Sequence, residues 1–139
     1  IAALMKTVGK PNTQTHFIGH SIGCQTILRY ISMLPKKEKV GKVVFVAPWT
    51  KPKWIEKEAK SIAKPWIETP INWSAAKKNA QSYSAIFSNN DVYVSASKER
   101  ALFKKNLKAR TRLLKKKGHF TQFDGVRELP EALDALAGK

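Results

Sequence analysis

The sequence predicts an α/β protein, a three-layer α/β/α sandwich built around a mostly parallel sheet. Two observations carry this. Strand-like and helix-like segments alternate along the chain, and that alternation places helices across the faces of a parallel sheet through right-handed crossovers. Residues 42–46 (KVVFV) form a continuous apolar run after the lysine, as expected of a strand covered on both faces rather than wetted on one.

The elements follow in order. Residues 15–18 read as a short strand that stops at Gly19. Ile27, Tyr30, Ile31 and Leu34 then share one helical face, and Pro35 closes that helix. After the strand at 42–46 comes a departure. Residues 47–79 are rich in Trp, Pro and Lys and have no clean period, so they are an irregular crossover or a small cap over the carboxyl edge of the sheet. In open α/β sheets that edge is where ligands bind. Residues 83–87 (YSAIF) are a third strand, and a helix over 97–108 should place Ala101, Leu102 and the stem of Lys105 along one side. Residues 111–115 (TRLLK) are a weaker fourth strand. Leu129, Leu133 and Leu136 form the apolar stripe of a last helix, with Pro130 tolerated in its first turn and Asp134 on its wet side. No repeat appears, and the whole chain, 1–139, reads as one domain.

Composition narrows the function classes. A hydrophobic content of 42% over 139 residues supports one sizeable core and excludes a disordered chain. No apolar run reaches membrane-spanning length. Cys24 is the single cysteine, so no internal disulfide forms, which fits a reducing cytoplasm. The formal charge of +16 would attract nucleic acid or anionic lipid non-specifically. It comes mostly from lysine in short scattered clusters, whereas specific phosphate and base contacts favour the arginine fork. No specific nucleic-acid partner is expected, and no zinc spacing or phosphate loop appears.

The string THFIGHSIGCQTILRYI is where chemistry enters. Ser21 lies between Gly19 and Gly23, at the end of a strand and directly before a helix. A turn that sharp strains the serine backbone, and the glycines should lack side chains because chain segments nearly touch there. The turn lifts the hydroxyl clear of the sheet. The helix beginning at Ile22 offers a free backbone N–H and a partial positive charge to an oxyanion. A serine needs a base. Of three histidines, His16 precedes the strand core, and His20 adjoins Ser21 but points elsewhere in such a turn. His119, in KKGHF, follows the last strand at the carboxyl end of the sheet. A carboxylate must orient that imidazole. Asp124 follows His119 too closely, while Asp91 lies in FSNNDVYV, directly after the third strand.

The resulting order, Ser, Asp, His, is that of the α/β-hydrolase superfamily. Within it, FIGHSIGCQTILRY, PWIETPINW, FSNNDVYVS and KKGHFTQFDGVRELPEAL resemble successive blocks of the small serine hydrolases related to retinoblastoma-binding protein nine, which bacteria also carry as predicted esterases. The resemblance implies an α/β-hydrolase fold, with Ser21 as nucleophile, Asp91 as acid and His119 as base. It also implies a small ester or amide as substrate, no cofactor and no metal. Ser95 stands where the family often has proline. Family members begin with a strand and a His-Gly loop that supplies part of the oxyanion hole, and nothing here matches it. The chain is therefore expected to be N-terminally incomplete, corresponding to roughly the last two-thirds of a member, poorly active alone and prone to associate.

Other residues carry weaker signals. Trp49 directly follows a strand end and is the best substrate-lining candidate among Trp49, Trp54, Trp66 and Trp73, with His20 a second. Cys24 is expected to be a small packing residue. The rival readings are a catalytically silent hydrolase-fold scaffold for a protein partner and a basic nucleic-acid-binding protein.

Overall fold

The computed structural model describes all 139 residues. Four strands, β1 (Phe17–His20), β2 (Val40–Val46), β3 (Ala80–Ser88) and β4 (Arg110–Leu114), form one sheet in the order β1-β2-β3-β4, and every neighbouring pair is parallel. The register sets Gly19 beside Phe45, Phe45 beside Ala85 and Ala85 beside Thr111. With all strands pointing one way, the segments that follow β1, β2, β3 and β4 emerge along one edge.

Helices α1 (Ala2–Val8), α2 (Ile22–Ser32), α3 (Lys60–Glu68), α4 (Trp73–Lys78), α5 (Ala96–Leu107) and α6 (Pro130–Leu136) complete the chain. α4 touches both α2 and α5 on one face of the sheet, where Phe45 meets Tyr83 at 5.8 Å and Phe103 at 5.7 Å between ring centroids. α6 lies against β2, and Lys42, which alternates with Val43, reaches the α6 carbonyl of Leu136 at 2.8 Å. Successive strand residues face opposite ways, so α6 covers the other face. β2 and β3 form the centre, and Val40, Val44, Phe45 and Ala85 are fully enclosed. β1 is an edge strand, with Ile18 half exposed. No helix is long and apolar enough to cross a membrane.

Two helices bury faces other than those the sequence predicts. In α5 the buried stripe is Glu99, Phe103 and Leu107, at i, i+4 and i+8, while Ala101 and Lys105 face solvent. A carboxylate in the stripe hides it from an apolar count. In α6, Leu133 is 68% exposed and Ala132 is buried, because the small side chain lets the helix close on the sheet. Asp134 is half-buried rather than wet. α1 has no sequence counterpart in the expected elements. The irregular region, 47–79, divides in two. α4 packs between α2 and α5 as the crossover, capped by the Asn72 side chain, and residues 50–68 overhang the carboxyl edge. Arg29 ties this overhang to α2 by donating to the carbonyls of Trp66, Thr69 and Pro70 at 2.6–3.1 Å.

Candidate active site

Ser21 sits between β1 and α2 with φ 53° and ψ −123°, a backbone conformation in the left-handed region that costs an L residue strain. Gly19 permits the turn. A Cβ there would stand 2.7 Å from Ile27 Cδ1 and 3.1 Å from the Cys24 backbone nitrogen. The expectation does not extend to Gly23, where an added Cβ would meet nothing within 4 Å. One glycine is sterically required, and the other is not. Ile22 opens α2, so its N–H has no intrahelical acceptor and remains free beside the hydroxyl.

The structure brings Ser21, His119 and Asp91 into one hydrogen-bonded chain. Ser21 Oγ lies 2.9 Å from His119 Nε2, and His119 Nδ1 lies 2.8 Å from Asp91 Oδ2. The Asp91 side chain is 1% exposed and the His119 side chain 12%. Asp91 Oδ1 accepts from the backbone N–H groups of Tyr93 at 2.9 Å and Val94 at 3.1 Å, which fixes the carboxylate in its turn. An ionised Asp91 accepts from Nδ1–H, leaving Nε2 to accept from the serine hydroxyl.

The loop carrying His119 is tightly built. Lys116, Gly118 and Phe120 all have positive φ. Asn89, Ser88 and Asn90, from the end of β3 and the turn before Asp91, accept in order from the N–H groups of Lys116, Lys117 and Gly118 at 2.8–3.0 Å. Asp124 accepts from the N–H of His119 at 3.0 Å and from the N–H and hydroxyl of Thr121. Its carboxyl is held below the usual carboxylate range, first by the Thr121 hydroxyl and further by the backbone donors. A Cβ on Gly118 would collide with the Asp124 carboxylate, so this glycine answers to both space and φ.

A cavity of about 350 Å³ opens on Ser21 and His119. Ile22, Trp49, Trp54, Ile55, Ile62 and Tyr93 make its walls mostly apolar, and Glu56 is the charged residue on its lining. Trp49 and Trp54 thus face the cavity, whereas Trp73 packs edge-on against Phe103 and Trp66 lies near the Arg29 guanidinium. His20 does not line this cavity, contrary to the expectation. Its Nε2 pairs with the His119 carbonyl at 2.8 Å, because strand alternation turns it toward the His119 loop. His16 is a strand pin, its Nδ1 accepting from Lys42 N–H at 2.8 Å. Cys24 is buried, and burial pushes its thiol far up, as befits a packing residue.

Sequence reasoning missed Gln25, Lys53 and Glu99. Gln25 Nε2 donates to the Trp49 carbonyl at 3.1 Å, and Lys53 Nζ donates to the Asp91 carbonyl at 2.7 Å. Buried Glu99 accepts from the N–H groups of Thr50 and Lys51 and from the Thr50 hydroxyl. A glutamate at i−4 from Phe103 was the one available signal.

Solved structures share this architecture. The chain is similar over 99% of its length to the ydeN gene product of B. subtilis, with a TM-score of 0.80, 20% identity and 72% of that chain covered. It is similar to a YdeN-like hydrolase of Pectobacterium atrosepticum at TM-score 0.67 and 17% identity, covering 99% of this chain and 65% of that one. A structure from work on carboxylesterases of the thaumarchaeon Nitrososphaera gargenis matches at TM-score 0.65 and 15% identity, covering 99% of this chain and 67% of that one. The chain therefore spans about two-thirds of the length of these structures. At these identities the likeness establishes the fold, α/β of the hydrolase type. No match to a curated protein was found. Family membership rests on the sequence itself, since the pattern described as serine hydrolase matches residues 1–138: the chain belongs to the serine hydrolase family.

Proposed function

We propose that the protein hydrolyses small carboxylic esters with an apolar acyl or alcohol group, and amides less readily, through an acyl-enzyme on Ser21. The observation that carries this is the chain Ser21 Oγ, His119 Nε2, His119 Nδ1, Asp91 Oδ2, with links of 2.9 and 2.8 Å at the floor of an apolar cavity. Ser21 Oγ attacks the carbonyl carbon and its proton passes to His119 Nε2. The oxyanion is stabilised by the free Ile22 N–H at the positive end of α2. The bond to the leaving oxygen breaks as His119 returns the proton to it. Water then attacks the acyl carbon, giving its proton to His119, and the carboxylic acid departs as Ser21 regains its hydrogen. Asp91 stabilises the imidazolium throughout.

The cavity supports the substrate class. Apart from Glu56 and the reacting residues, its walls offer few polar partners, so an apolar group gains by leaving water there. A fluorophosphonate probe is expected to label Ser21 in the folded protein, with labelling abolished in Ser21→Ala. Labelling that survives the substitution overturns the assignment of the nucleophile. A folded protein that takes no label favours the silent binding scaffold instead.

A further inference from the structure

The indole of Trp49 does more than line the cavity. Its Nε1 lies 3.2 Å from Ser21 Oγ, and that is the hydrogen bond this 6%-exposed side chain makes. An indole N–H can only donate. Ser21 Oγ must therefore accept from it, and the hydroxyl's single proton is left to point at its other neighbour, His119 Nε2 at 2.9 Å. That arrangement is the one in which the serine is ready to surrender its proton.

The surroundings are built to hold the indole there. Ala47, directly after β2, takes φ 48° where the chain leaves the sheet. From α2, Gln25, 1% exposed, donates to the Trp49 carbonyl, while Arg29 holds the Gln25 Oε1 at 3.1 Å. From α5, Glu99, 3% exposed, accepts from the two N–H groups that follow Trp49. A buried amide and a buried carboxylate are costly to enclose unless fully satisfied. Here both act on the three-residue stretch that carries the indole.

Resting on the serine hydrolase reading above, we infer that Trp49 is a positioning residue for the nucleophile: its indole N–H, locked in place by Gln25 and Glu99, orients the Ser21 hydroxyl proton toward His119. The indole N–H occupies one of the two lone pairs of Ser21 Oγ. Without it both lone pairs are free to accept from a protonated His119, which favours the imidazolium. The groups around His119 are Asp91, His20, Tyr93, Asp124 and Ser21, and none of the first four makes a hydrogen bond to Trp49.

Trp49→Phe keeps most of the ring and removes the donor. Its rate of labelling by a fluorophosphonate probe is expected to fall on the order of tenfold, with kcat for p-nitrophenyl acetate falling in step. KM should stay within about twofold of the parent, since the ring still fills the wall. The acidic limb of kcat/KM against pH should move to higher pH, which a purely structural role would not cause. A second measurement leaves Trp49 intact: in 15N-labelled Ser21→Ala the Trp49 indole N–H resonance should move, while those of Trp54, Trp66 and Trp73 stay. A labelled parent with an unchanged Trp49→Phe rate, or an unmoved indole resonance, overturns the role of Trp49 alone. A parent that takes no label overturns the hydrolase reading beneath it.

Discussion

A side chain at Gly19 would press on the Cys24 backbone, which cannot swing aside as the tip of Ile27 can. Gly19→Ala is therefore expected to cost about 1–3 kcal/mol in urea unfolding, as overpacking does. Gly23 is already inside α2 with open space around it, so Gly23→Ala should be neutral or stabilising by up to ~1 kcal/mol through helix propensity. It should also keep its labelling by the probe. Equal losses at both positions would mean that the turn, rather than the local packing, demands both glycines. The histidines separate in the same way. On the proposed mechanism His119→Ala removes the proton carrier and should lower kcat by several orders of magnitude. His20→Ala removes one hydrogen bond to the His119 loop, and a loss of roughly tenfold or less is expected from steady-state kinetics.

At the scale of elements, the Asp91 turn after β3 and the His119 loop after β4 form one unit. Side chains of the first accept from three successive N–H groups of the second. Asp124 closes the far side of that loop. Its carboxyl is lowered, so its contribution to stability is present above the ordinary carboxylate pKa and disappears as pH falls through the lowered value. Thr121→Val removes the first cause of the lowering. The gap in Tm between parent and variant should be a few degrees at most near neutrality and should shrink in acid below about pH 4. A gap that widened on acidification would contradict this sign. Between α5 and the segment after β2, Glu99→Ala would leave the Thr50 and Lys51 N–H groups without their part-buried acceptor. A destabilisation of about 1–3 kcal/mol is expected from denaturant unfolding.

Across the whole molecule, charge is the dominant feature. With +16 formal charges, the one contact between a lysine and an acidic side chain is Lys64 with Glu68, at 4.0 Å on the surface. Such a pair contributes little, and self-repulsion among the remaining lysines opposes the compact state. Raising salt from about 0.01 to 0.15 M shortens the screening length from about 30 to 8 Å and should raise Tm. A Tm that fell with added salt would show that attractive pairs outweigh the repulsion. The same cations predict weak binding to DNA that falls away steeply with salt.

The sequence by itself determined what short-range chemistry controls. Apolar runs, turn residues and helix stops are local, so β2, α2 and the strand–turn–helix around Ser21 could be read directly. The strand boundaries lay within three residues of those observed, the largest shift being at the start of β3. The order Ser, Asp, His along three strand ends was equally legible, because parallel strands deliver their ends to one edge. Tertiary structure decided what depends on residues distant in the chain. A buried Glu99 concealed the inner stripe of α5, and Ala132, rather than a leucine at 133, met the sheet because close approach favours the small side chain. Only the folded molecule turns His20 away from the cavity and sets the Trp49 N–H on Ser21 Oγ. Those contacts join residues 28 to 99 positions apart, and no periodicity of 2.0 or 3.6 residues carries information over such separations.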